Sequence, residues 1–180
     1  MARLLLPGWH GSGPGHWQRL WLDHDPSARI VEQDDWAKPD RDAWLARLAA
    51  AIDEETEPAT LVAHSLGTAL VAHYAARFPT DRIGAALLVA PGDADLHAAD
   101  NPELVTFAPV PRDRLPFPSV LVVSRNDKLM SYERAVELGN NWGARIVDAG
   151  NAGHINRDSG YGEWPEGLRL ADELDRATAA

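Results

Sequence analysis

The segment Val62-Ala63-His64-Ser65-Leu66-Gly67 sets a serine between small residues two positions to either side, where an apolar run of strand length passes into a helical pattern. That context is the one required of a G-x-S-x-G nucleophile elbow, in which a sharp strand-to-helix turn lifts the hydroxyl above a sheet. Ala63 stands where the pattern has its first glycine; one methyl reduces packing room without removing the turn. A serine hydroxyl is a poor nucleophile near neutral pH, so it needs a base within hydrogen-bond reach and a third group to orient that base. In elbows of this kind the partners follow in the chain order Ser, acid, His. Ser124-Arg125-Asn126-Asp127-Lys128 follows a later apolar run, and Gly150-Asn151-Ala152-Gly153-His154 follows the last one. Both stretches fall beyond the carboxyl ends of expected strands, where open α/β folds keep their sites. Ser65, Asp127 and His154 are the expected nucleophile, acid and base. Asp93 and Asp95, after the fourth run, are rival carboxylates, and spacing alone does not choose between Asp93 and Asp127.

Acyl transfer also needs donors for the negative charge that develops on the carbonyl oxygen. The backbone N–H of Leu66, next after the nucleophile, is one. The second is expected from the glycine-rich loop Leu6-Pro7-Gly8-Trp9-His10-Gly11-Ser12-Gly13, with the Trp9 N–H preferred and His10 next. That loop has neither G-x-x-x-x-G-K-[ST] nor G-x-G-x-x-G, so a nucleotide cradle is disfavoured. The Trp9 side chain is placed in or near an acyl pocket. His64 is expected to turn away from Ser65 and pack, and His73 and His97 to serve structure or face solvent. His10, His16 and His24 lack metal-ligand spacing with nearby carboxylates. No metal or other cofactor is expected.

The elements that would position these groups alternate along the chain. Strand-like runs occupy Leu4–Leu6, Arg29–Gln33, Thr60–His64, Ile83–Ala90, Ser119–Ser124 and Arg145–Asp148. Helical segments fit at Gly15–Asp23, Asp40–Glu55, Leu66–Phe78, Ser131–Asn141 and Pro165–Ala177. Trp44, Leu45, Leu48 and Ile52 share one helix face by their three- and four-residue steps. Runs such as Ala85–Ala90 and Val120–Val123 do not alternate with polar residues, as expected for parallel strands covered by helices on both faces. The fold class is therefore α/β, a three-layer α/β/α sandwich. Pro91–Pro118 holds six prolines and cannot form one continuous helix. A short helical turn near Asn101–Phe107 is compatible with it, and little chain remains for a lid, so an open, shallow cleft is expected. Phe107, Phe117 and the tryptophans other than Trp9 are read chiefly as packing residues.

The chain has 180 residues, 17 Lys and Arg against 27 Asp and Glu, a formal charge of −10, and no cysteine. Length predicts one domain over 1–180. Without cysteine, disulfides, thiol nucleophiles and Cys-ligated metal sites are excluded. The acidic balance argues against a nucleic-acid partner, which requires a basic face. The N-terminal apolar run breaks at Pro7-Gly8, too short for a secretory signal, and no run reaches membrane-spanning length. The expectation is a cytoplasmic protein with a small-molecule acyl substrate and no membrane association; a protein partner is left open by the sequence.

With those residues located, the chain resembles the α/β-hydrolase superfamily, specifically the small serine hydrolases typified by retinoblastoma-binding protein 9 and bacterial YdeN-type proteins. The likeness is carried by LLLPGWHGSGPGHWQ, the AHSLG elbow, LLVAP, SRNDKLMSYERAVELGNNWGA and GNAGHINRDSGYGEWPEG. It implies a compact α/β-hydrolase core without a large cap domain, six parallel strands in the order 2-1-3-4-5-6, and a triad at Ser65, Asp127 and His154. It further implies hydrolysis of ester or amide-like acyl substrates. The L-x-C-x-E motif tied to a protein partner in one member cannot be present in a cysteine-free chain, so that partner is not implied. An idle interaction module on the same scaffold, or another cofactorless chemistry such as a lyase or perhydrolase, stands as the alternative.

Overall fold

The computed structural model describes residues 1–178. The strands are β1 (Arg3–Leu6), β2 (Ala28–Ile30), β3 (Ala59–Ser65), β4 (Ile83–Pro91), β5 (Ser119–Val123) and β6 (Arg145–Asp148). The helices are α1 (Trp17–His24), α2 (Arg41–Asp53), α3 (Leu66–Arg77), α4 (Ala94–His97), α5 (Tyr132–Trp142) and α6 (Pro165–Thr178). All strand pairs are parallel, in the order β2-β1-β3-β4-β5-β6. The implied strand order and the three-layer arrangement both stand.

Side chains alternate across the sheet and build two apolar layers. Leu4, Leu6, Leu61, Ala63, Leu88 and Leu121 face α2, α3 and α5, with Trp44, Leu48 and Leu70 packed over them. Leu5, Val62, Leu87, Val89, Val120 and Val122 face the opposite way, under Trp17 and Trp21 of α1 and Ala171 and Leu174 of α6. Burial of each such leucine or valine contributes about 1.5–3 kcal/mol. Trp17 and Trp21 close on Trp164 with ring centroids 5.0 and 6.1 Å away. Phe107 and Phe117 are buried in the core and packing is their role.

Local signals set the helix starts. The Asp40 carboxylate accepts the Ala43 N–H (2.8 Å) at the head of α2, and Ser131 Oγ accepts the Arg134 N–H (3.3 Å) at the head of α5. Pro165 opens α6, where its missing N–H has no consequence.

One strand is shorter than its sequence suggests. β2 was expected over Arg29–Gln33 but ends at Ile30, after which only the Val31 N–H still reaches Leu5 O (3.0 Å). Its neighbour, β1, stops at Leu6, and Pro7 offers no N–H to extend the ladder. The chain instead turns so that Trp36 O accepts the His10 N–H (2.9 Å). Within Pro91–Pro118 the helical turn appears as a 3-10 turn at Pro102–Phe107, and α4 is an addition not foreseen. Among the described residues there is no large cap domain. Among the described residues, no helix is long and apolar enough to cross a membrane.

Candidate active site

Ser65 ends β3 and leads directly into α3, with φ 56° and ψ −123°. A non-glycine residue in that region stores about 1–3 kcal/mol of backbone strain. Gly67 lets the first turn of α3 pass close to the end of β1: a Cβ there would lie 2.3 Å from Leu6 O. Ser65 makes no capping bond to α3, so its hydroxyl is not engaged by its own helix.

Instead Ser65 Oγ lies 2.9 Å from His154 Nε2, and His154 Nδ1 lies 2.8 Å from Asp127 Oδ2. Asp127 is positioned by the turn after β5, where its other carboxylate oxygen accepts the Leu129 N–H (2.9 Å). The side chains of Asp127 and His154 are only 4% and 13% exposed, so water competes little for their hydrogen bond.

Asp93 is committed elsewhere. Its carboxylate pairs with the Arg134 guanidinium and accepts the Leu96 N–H (3.1 Å) at the head of α4. Asp95 likewise takes the Val110 N–H (2.8 Å) and Arg134 (2.9 Å). Neither rival carboxylate contacts the His154 ring through a hydrogen bond; Asp127 does.

The loop carrying His154 is held on both sides. The Ala152 N–H donates to Ser124 Oγ (3.1 Å) and the Gly153 N–H to Asn126 Oδ1 (2.7 Å), so the acid-bearing turn also braces the histidine loop. The His154 N–H donates to Ser159 Oγ (3.0 Å), which donates to Asn156 Oδ1 (2.8 Å). Ser124, Asn126, Asn156 and Ser159 were not singled out in the sequence. Their clustering on the two stretches that hold the expected acid and base was the signal available.

His64 does turn away from Ser65, as expected, but it does more than pack. Its Nε2 lies 2.8 Å from the His154 carbonyl, which fixes the tautomer with the proton on Nε2. The His64 ring meets His16 edge-on and lies tilted against His154, with both centroids 4.8 Å away. Replacing His64 by Phe keeps a ring but leaves that carbonyl without its donor. The expected loss is about 1–3 kcal/mol in chemical denaturation. Gln, which retains an amide donor, should recover most of it.

Burial, with repulsion from His154, lowers the His16 pKa to about 4. Burial and the imidazoles of His154 and His16 hold His64 well below the ordinary value of 6.5. In the unfolded chain both rings accept protons near 6.5, whereas the folded rings resist them. The unfolded state therefore binds more protons below that pH, and stability falls as pH falls from about 6.5 toward 4. His16 alone should account for about 3 kcal/mol of loss across that window. Urea titrations at pH 7 and pH 4.5 should show a smaller loss for His16→Gln than for the unaltered protein.

Leu66 is the first residue of α3, so its N–H belongs to the unpaired donors of a helix start. A Cβ on Gly92 would lie 3.1 Å from Leu66 N and 3.3 Å from Ser65 Oγ; the glycine leaves that space open. The His10 N–H is taken by Trp36 O, whereas among the described residues no acceptor takes the Trp9 N–H. Trp9 is anchored through its side chain, Nε1 donating to Ala37 O (2.8 Å), with its ring stacked on His10. It borders a cavity of about 210 Å³ beside Ser65. Two further histidines meet backbone carbonyls: His73 Nε2 lies 2.8 Å from Phe107 O, and His97 Nε2 lies 2.8 Å from Leu129 O. Among the described residues, no three metal-ligating side chains converge.

A parallel sheet in this order, with a serine at the β3–α3 turn facing a histidine and an aspartate, defines the α/β-hydrolase fold with the groups of a serine hydrolase. The family model for serine hydrolases matches residues 3–173, and the chain belongs to that family. Among solved structures, it is similar to a YdeN-like hydrolase from Pectobacterium atrosepticum, at 29% identity and a TM-score of 0.88, covering 98% of this chain and 91% of that one. It is also similar to the ydeN gene product of B. subtilis, at 18% identity and a TM-score of 0.78, covering 98% and 100%. An esterase domain from Rhodothermus marinus shares the fold at 15% identity and a TM-score of 0.71, covering 97% and 87%. No curated protein matches the sequence.

Proposed function

We propose that the protein hydrolyses small ester or amide-like acyl substrates through a Ser65–His154–Asp127 triad and an acyl-enzyme intermediate. The observation that carries this reading is the unbroken hydrogen-bonded chain from Asp127 through His154 to a strained, uncapped Ser65. Ser65 Oγ attacks the substrate carbonyl as His154 Nε2 takes its proton. Asp127 holds the proton on Nδ1 and stabilises the imidazolium that forms. The N–H groups of Leu66 and Trp9 receive the oxyanion; a donor of this type is worth about 2.7–4 kcal/mol at the transition state. His154 then returns its proton to the leaving group. Water, deprotonated by the same nitrogen, attacks the acyl carbon, and His154 returns that proton to Ser65 Oγ as the acyl–oxygen bond breaks and the acid leaves.

The test is labelling with a fluorophosphonate probe, located by mass spectrometry, alongside turnover of short p-nitrophenyl esters. One adduct, on Ser65, with turnover abolished in Ser65→Ala, is the expected result. Well-folded protein that neither labels nor turns over would overturn the reading and leave an interaction module in its place.

A further inference from the structure

We infer that the acyl group taken by this site is compact and apolar, about six to eight carbons, seated in the cavity beside Ser65; the inference rests on the acyl-enzyme reading above. Direction comes first. The cavity is bordered by Ser65 and Leu66 but not by His154. His154 Nε2 must protonate the leaving group, so the leaving group lies on the histidine side of Ser65 Oγ. The cavity on the other side receives the acyl part.

Chemistry follows from the walls. Trp9, Leu66, Ala94, Leu104 and Leu129 present apolar surface. Each polar side chain on the wall has a protein partner. Asp93 is bound to Arg134 and the Leu96 N–H, His97 Nε2 to Leu129 O, and the Asn101 amide donates to His97 O (2.9 Å). Asp93 is thus not a free counter-charge for a cationic substrate. The His97 bond also ties α4 to the loop after β5, so the wall is closed by two separate segments. Besides Met1, the exposed large apolar side chains among the described residues are Leu96, Val105 and Leu129. Leu129 is itself on the wall, and Leu96 and Val105 are chain neighbours of the wall residues His97 and Leu104.

Size sets the chain length. A cavity of about 150 Å³ holds benzene, and each further carbon needs about the volume of one water, roughly 30 Å³. The 210 Å³ here therefore takes six carbons and about two more. Each buried methylene should raise kcat/KM by about fourfold until the cavity is full.

The experiment is kcat/KM for p-nitrophenyl acetate, butanoate, hexanoate, octanoate and dodecanoate, with fluorophosphonate labelling of Ser65 measured in parallel. The expected profile rises from acetate, peaks at hexanoate or octanoate and falls at dodecanoate. Ala94→Leu should move the peak to acetate or butanoate. Leu129→Ala, at a partly exposed position that folding tolerates, should move it to longer chains. A flat profile, a rise through dodecanoate, or a peak unmoved in folded Leu129→Ala overturns the acyl assignment while labelling of Ser65 keeps the hydrolase reading. Absence of both labelling and turnover removes the two together.

Discussion

Replacing Ser65 by alanine is expected to lower ester turnover by about 10⁶-fold, the scale seen when a triad nucleophile is removed. The fold should be untouched, because Ser65 Oγ makes no capping bond to α3 and its hydrogen bond is to His154. Glycine at the same position should be equally inactive yet more stable than the unaltered protein. A φ of 56° with ψ of −123° strains any side chain but not glycine. Relief of about 1 kcal/mol, at the low end for such backbone strain, should raise Tm by about 2–4 °C. Calorimetry and ester kinetics on the Ala and Gly variants measure both effects. Equal Tm in Ser65→Gly and the parent would remove strain from the account of the elbow.

Asp127→Asn carries the second large effect, a fall of about 10⁴-fold in kcat with little change in KM. Asparagine can still accept the Leu129 N–H, so the turn survives, but its amide no longer selects the productive imidazole tautomer or stabilises the imidazolium. Asp93→Asn provides the contrast. Its side chain is 1% exposed and pairs with an Arg134 that is 28% exposed. Loss of the charge should cost about 2 kcal/mol, between the values for surface and buried pairs, and should lower kcat far less. Were Asp93→Asn the more damaging to kcat, the two carboxylates would exchange roles.

Much of this site is legible in the chain because each part is announced locally. An apolar strand run entering a helical pattern at Ser65, a turn with Asp127 after another run, and a glycine-rich loop with His154 after the last are short-range patterns. The covered parallel sheet was legible for the same reason, since its central strands do not alternate. The strand order came through the likeness to a family and not through periodicity, which is silent on neighbours. β2 was read too long because an edge strand ends where its partner does, and Pro7 ends β1's ladder.

Local patterns along the chain carry the candidate residue types, their order and the layers that hold them. Tertiary structure decided which carboxylate meets His154, which loop N–H remains available, and what His64 does. Asp93 and Asp127 both follow strands; the fold pairs the first with Arg134 on α5 and the second with His154. His10 and Trp9 are adjacent in the chain, and only the return of Trp36 engages one N–H and leaves the other. His64 finds the His154 carbonyl 90 residues away. The cavity, too, is walled by segments that meet only in the folded chain. Hydrogen-bond partners and cavity walls of this kind depend on side-chain direction across packed elements, which short-range sequence patterns do not encode.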